Sequence, residues 1–193
     1  MVINIETDYT IVVLTEYEMR IACQIGKMRS DNAEENDLGD HMAKELWLSP
    51  SEVRHRNGAI AECAFAKLTG MLWFAYIDDI NKVARKNRPL DVGPCEVRRR
   101  SEDWHGILSK VGDKDHTLMV LAMPTGHDNC ILFAGWGQMI NAEPCKAEKL
   151  KGKKELKQSA LYQMWKLESR CNELGFEWRK GIRYSVRGEV YHA

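Results

Sequence analysis

The chain has 193 residues, 44% of them apolar and 29% charged, with a formal net charge of zero. That length fits one domain with a small appendage, and the apolar fraction is enough for a core. Zero net charge excludes a global field that would draw the chain onto nucleic acid or an anionic membrane, so any such binding must come from local patches.

Six cysteines (Cys23, Cys63, Cys95, Cys130, Cys145, Cys171) form no CxxC pair, which argues against a zinc or iron–sulfur site. The opening MVINIETDYT has no basic start and no long apolar run. The longest apolar stretches, such as TLMVLAMP, are too short to span a bilayer. The expectation is a soluble cytoplasmic protein with reduced thiols.

In IVVLTEYEMRIACQIGKMR, Thr15 stands three residues before Glu18, the spacing of a capping box. Ile21, Ile25 and Met28, with Ala22, repeat at helical spacing and predict a helix over roughly residues 16–30. SDNAEENDLGDH reads as an acidic loop. LSPSEVRHRNGAIAECAFAKLTG carries the strongest helix signal: Ser49 as N-cap, Pro50 at the first helical position, Glu52 after it and Gly70 as the stop. Inside it, Gly58, Ala59, Ala61, Ala64 and Ala66 form a small-residue surface suited to close approach of a sheet or helix. Glu62 sits in that surface, with Gly58, Ala59 and Ala66 on its own face. A carboxylate buried there without a partner is costly.

MLWFAYIDDINKVARKNRPLDVG is expected to hold a strand and then a basic connector (Lys82, Arg85, Lys86, Arg88). PCEVRRRS reads as a strand beginning after Pro94. Strand alternation puts Glu96 and Arg98 on one face, and Cys95, Val97 and Arg99 on the other. TLMVLAMP and NCILFAGWG read as buried strands, and DKDHT and TGHDN as turns. KAEKLKGKKELK, with six lysines, reads as a solvated linker, with tracking of a phosphate backbone as the alternative. A last helix is predicted over about residues 156–174, with Leu161, Met164, Trp165, Leu167 or Glu168, and Leu174 near helical spacing. WRKGIRYSVRGEVYHA is either a hairpin or an extended tail. The simplest organisation is one α/β domain over 1–145, with 146–193 packed on it.

Asp91 and Glu96 in DVGPCEVRRR suggest metal chemistry. Magnesium takes oxygen ligands and usually only one or two protein carboxylates. It polarises a phosphate and acidifies water, while a neighbouring cation stabilises charge as it builds. Asp91, four residues, then Glu96-Val97-Arg98 resembles the D-x(n)-(D/E)-x-K pattern of the PD-(D/E)XK, restriction-endonuclease-like nuclease superfamily. The order of elements is similar too: Glu62 within GAIAECAFAKLTG, then Asp91, then Glu96-Val97-Arg98, then an apolar strand. LTEYEMRIACQIGKMR, GAIAECAFAK, DVGPCEVRRRS and CILFAGW together resemble phage-encoded members, over roughly residues 12–140.

The resemblance implies a mixed central β-sheet flanked by helices and Mg²⁺- or Mn²⁺-dependent hydrolysis of DNA, for a phage protein in the host cytoplasm. Asp91, Glu96, Glu62 and the Val97 carbonyl would be the metal ligands. Many relatives act as dimers, so a homodimer is a further expectation. Arg98 departs from the usual lysine: it stays protonated and is a poor general base, but it can hold a phosphate. Arg54, Arg56, Arg99 and Arg100, with His55, are candidates for a DNA-facing rim. Trp104 and Trp136 could stack on bases, though core packing is the simpler role. The bland alternatives are that Asp91 is only a turn residue, Glu96 and Arg98 an exposed ion pair, and Glu62 an exposed helix residue. The second functional reading is a catalytically inactive nuclease-like module that binds DNA or protein, interfering with host DNA metabolism or defence.

Overall fold

The computed structural model describes residues 10–35, 50–77, 90–100, 106–109, 113–146, 150–178, 183–184 and 190–191. Along the chain these form β1 (Thr10–Val13), α1 (Glu16–Glu35), α2 (Ser51–Thr69), β2 (Cys95–Arg99), β3 (Ile107–Leu108), β4 (Leu118–Pro124) and β5 (Cys130–Gln138). Then come β6 (Glu143–Pro144), β7 (Lys154–Leu156), α3 (Met164–Glu173), β8 (Arg183–Tyr184) and β9 (Val190–Tyr191). The α/β class and the mixed central sheet are as expected. The sheet order is β2-β4-β5-β1-β8-β9, with β2 at one edge, parallel to β4, and the other pairs antiparallel. A second sheet, β3-β7-β6, is small.

β4 sorts the core. Its residues from Leu118 to Met123 are all buried, as its unbroken apolar run predicts. Leu118, Val120 and Ala122 join a cluster with Ala22 of α1, Phe65 of α2, and Leu167 and Cys171 of α3. Met119, Leu121 and Met123 join Ile107 and Leu156 of the small sheet. Helices therefore cover one face, and among the described residues the small sheet covers the other. In β5 the register passes from Leu121↔Gly135 to Ala122↔Phe133 and skips Ala134. This bulge shifts the alternation, so that Phe133 and Trp136 both face the helices.

The capping box forms: Thr15 N–H donates to Glu18 Oε2 at 2.7 Å, and Glu18 N–H donates to Thr15 Oγ1 at 3.3 Å. Helix α1 runs past the predicted end, through Ser30–Glu35. Tertiary contacts hold this polar stretch helical, including Asn32 Nδ2 donating to the Ile77 carbonyl at 3.1 Å. The buried face of α1 matches the predicted one only in part: Ala22 is buried as expected, Ile21 and Met28 are exposed, and Gly26 and Ser30 complete the buried face. The cause is a close crossing with α2, where a Cβ on Gly26 would overlap the Arg56 backbone.

Helix α2 begins at Ser51, one residue later than expected, with Pro50 as the flanking residue; Ser49 lies outside the described residues. Gly70 closes it at φ 65°, its N–H bonded to the Ala66 carbonyl at 2.8 Å. Residues 71–77 do not form the predicted strand. They make one bridge, Trp73↔Val92, and Ala75 bends the chain at φ 46°. The basic connector lies outside the described residues.

The lysine-rich stretch is not wholly a linker, because it contains β7, whose Leu156 is fully buried. The last helix starts at Met164 rather than near residue 156, because 154–156 pairs in the small sheet and Tyr162 pairs with Trp136 in both directions, at 2.7 and 3.0 Å. In the C-terminal segment the described residues pair antiparallel, β8 with β9, and β8 pairs with β1; the rest of that segment lies outside the described residues. No helix among the described residues is long and apolar enough to cross a membrane.

Gly26→Ala tests the helix crossing. Forcing a methyl group against the Arg56 backbone is expected to cost about 1–3 kcal/mol, read as a lower urea midpoint. An unchanged midpoint would show that the two helices can part freely.

Candidate active site

The site begins with the turn that opens β2. Val92 and Cys95 exchange hydrogen bonds of 3.1 and 3.0 Å across Gly93-Pro94. Gly93 takes φ 52°, a conformation that suits glycine. The turn folds Asp91 back alongside β2, and Phe74 N–H holds the Asp91 carbonyl at 3.2 Å.

Strand alternation fixes the backbone directions. Arg100 N–H bonds to Ala122 of β4 at 3.0 Å. The even-numbered backbone groups of β2 therefore face β4, and the N–H and C=O of Val97 face outward from the sheet edge. Asp91 Oδ2 accepts that Val97 N–H at 2.9 Å. Asp91 is thus both a turn residue and a fixed carboxylate at the edge.

Glu96 and Arg98 lie on the face of Met119 and Leu121, their partners in register, as alternation predicts. They are buried, at 4% and 8% exposure, so the exposed ion pair is ruled out. Arg98 Nη1 donates to Glu96 Oε2 at 2.6 Å and lies 3.7 Å from Asp91 Oδ2. Its Nη2 donates to Asp113 Oδ1 at 2.9 Å, and its Nε is buried without a hydrogen-bond partner. Burial opposes the charge on Arg98, but Glu96, Asp91 and Asp113 overcome it and raise its pKa above the ordinary guanidinium value.

Glu62 reaches the cluster from the helix side and is also buried. Arg29 Nη1 and Nη2 donate to its two oxygens at 2.8 and 2.7 Å, and Trp73 Nε1 donates at 2.9 Å. Burial and then the negative charge of Asp91 push its carboxyl up from the ordinary value, while Arg29 and Trp73 pull it down. The cluster therefore wraps the sheet edge, with Glu62 on one face, Asp91 at the edge, and Glu96 with Arg98 on the other. Cys95 is buried in the helix-side core with Cys171 of α3, and the neighbouring thiol and burial push its own thiol well up.

The structure gathers the sequence-predicted acids but gives them different partners. Among the described residues, no group of three or more His, Cys, Asp or Glu side chains could hold a metal ion together. Asp91 and Glu96 meet around Arg98, and Glu62 is turned to Arg29 and Trp73. The arginine rim is divided. Arg99 Nη1 donates to Asn57 of α2 at 3.3 Å; burial lowers its pKa, with the charge of Asp128 opposing and that of Arg56 adding to the shift. Arg100 is on the other side of β2, within the field of Glu155 and Cys145. Trp136 is core, its Nε1 donating to Gln163 O at 3.1 Å, and Trp104 lies outside the described residues.

Three residues of the cluster escaped sequence reasoning. Arg29 comes from the predicted first helix and Trp73 from the segment expected to hold a strand, neither with a role assigned. Asp113 comes from DKDHT, which does turn, with Thr117 N–H on Lys114 O at 3.0 Å. The one available signal was Glu62 itself, whose burial called for a cation.

Arg29→Met leaves Glu62 buried beside Asp91 without its bidentate partner. The expected loss is about 3–5 kcal/mol, measured by denaturant unfolding. Adding Glu62→Leu should restore most of that stability; no recovery in the double variant would disprove the pairing as the cause.

Compared with family models, curated proteins and solved structures, the chain finds no match.

Proposed function

We propose that the chain is a divalent-metal-dependent nuclease of restriction-endonuclease-like core that hydrolyses phosphodiester bonds in DNA. The observation that supports it is the meeting of Asp91 and Glu96 on a single cationic nitrogen, beside the outward-facing Val97 backbone. The donors fit a hard cation: two carboxylates and one carbonyl, all oxygen, which is as many protein carboxylates as magnesium usually takes. Asp91, Glu96 and the Val97 carbonyl would hold Mg²⁺ or Mn²⁺, which when bound supplies charge neutralisation at the scissile phosphate and a more acidic water.

The chain's own groups divide the remaining work. Arg98, its pKa raised, cannot accept a proton; it is suited to holding a phosphate oxygen, in the place where the resembled superfamily pattern has lysine. Proton acceptance falls to the carboxylates. Glu62, fixed by Arg29 and Trp73, acts through its charge and through water rather than as an inner ligand. Arg56, exposed on α2, and Arg99, at the C-terminal end of β2, are the residues that would meet backbone phosphates.

Linear and circular DNA incubated with Mg²⁺ or Mn²⁺ should be cut. Asp91→Ala should lower the rate by about 100-fold or more, as expected when several kcal/mol of metal-borne stabilisation are lost. Absence of cutting on every substrate with either ion would sink the enzyme reading.

One observation favours the inactive DNA-binding module instead: Arg98 Nη1 already supplies a cation between the two acids, 2.6 Å from Glu96. Under that reading DNA binds without cleavage and loosens with salt. Arg56→Ala and Arg99→Ala should then each reduce the salt slope of binding by about one. A slope unaffected by either substitution would remove these arginines from the interface.

A further inference from the structure

We propose that Arg98 is a displaceable internal counter-ion of the Asp91–Glu96 centre, and that Asp113 is the positioning residue that receives its guanidinium when a divalent cation enters. This rests on the metal-dependent reading above and names how the site is controlled.

The geometry of the guanidinium carries the inference. One end, Nη1, serves Glu96 at 2.6 Å and lies 3.7 Å from Asp91. The other end, Nη2, reaches Asp113 at 2.9 Å. Asp113 belongs to the turn before β4, not to β2 or the turn that opens it, so it can hold Arg98 independently of the other two acids. A divalent cation bound to Asp91 and Glu96 must compete with Nη1, since like charges repel at that distance. The arginine backbone is fixed by its pairing with Leu121, so only the side chain need turn. Its Nε has no hydrogen-bond partner, so turning sacrifices few bonds. A planar fork with two usable ends can release one carboxylate while keeping another; a lysine point charge cannot bridge both in the same way. Without Asp113, release from Glu96 would leave a buried guanidinium with no carboxylate at its second end, which is costly.

The test is Mn²⁺ titration of the full chain by calorimetry. Arg98→Met should tighten binding, and Asp113→Asn should weaken it, each by about tenfold, a coupling of ordinary size for contacting residues. In the Arg98→Met background the Asp113→Asn effect should shrink to about twofold or less, and Asp113→Glu should restore wild-type affinity. A purely structural role would lower the melting temperature and leave these affinities in place. Should Arg98→Met not fold, Arg98→Gln removes the charge while keeping a polar side chain, and there too the Asp113 dependence should vanish. Equal weakening by Asp113→Asn in both backgrounds, or no weakening at all, overturns the proposal while leaving the metal site standing. Mn²⁺ binding to neither wild type nor Arg98→Met overturns the nuclease reading, and this inference with it.

Discussion

A guanidinium buried at the edge of a sheet persists only if carboxylates are brought to it. Desolvating such an ion costs several kcal/mol, and Arg98 is 8% exposed. Three separate pieces of chain answer that requirement: the Gly93-Pro94 turn with Asp91, β2 itself with Glu96, and the turn carrying Asp113. Arg29 and Glu62 meet the same demand between α1 and α2. The two ion-pair groups are linked, because the charge of Asp91 acts on Glu62. Helix pair, edge strand and turns are therefore held in register by charge as well as by apolar packing.

What the sequence made legible was local. Thr15 and Glu18 are three residues apart, and their capping box formed. Alternation along CEVRR placed Glu96 and Arg98 on one face, and β4 is buried on both faces as its run of apolar residues requires. The partners of the buried charges were not legible. Arg29 is 33 residues from Glu62, and Asp113 is 15 residues from Arg98. Neither spacing has a period that singles out a partner. The burial of Glu62 announced that a cation was needed without saying which one.

Helix α1 shows a different limit. Counting large apolar residues favours Ile21, Ile25 and Met28 as the buried stripe, but the helix buries Ala22, Gly26 and Ser30. Interhelical distance decided the matter: α2 approaches so closely at Arg56 that only glycine fits opposite. In the lysine-rich stretch, composition concealed a strand whose burial rests on Leu156, packed against Gly137. In both places the smallest feature of the pattern, not its dominant one, set the structure.

The contact between Asp91 and Val97 has a consequence of another kind. β2 ends the sheet, and an edge strand with open backbone groups is a template on which a second chain can pair and aggregate. The Asp91 carboxylate takes the outward Val97 N–H at 2.9 Å and places a negative charge where an incoming strand would have to lie. The residue proposed to hold a metal is thus also a guard against edge-to-edge association. Its removal would expose the chain to self-pairing.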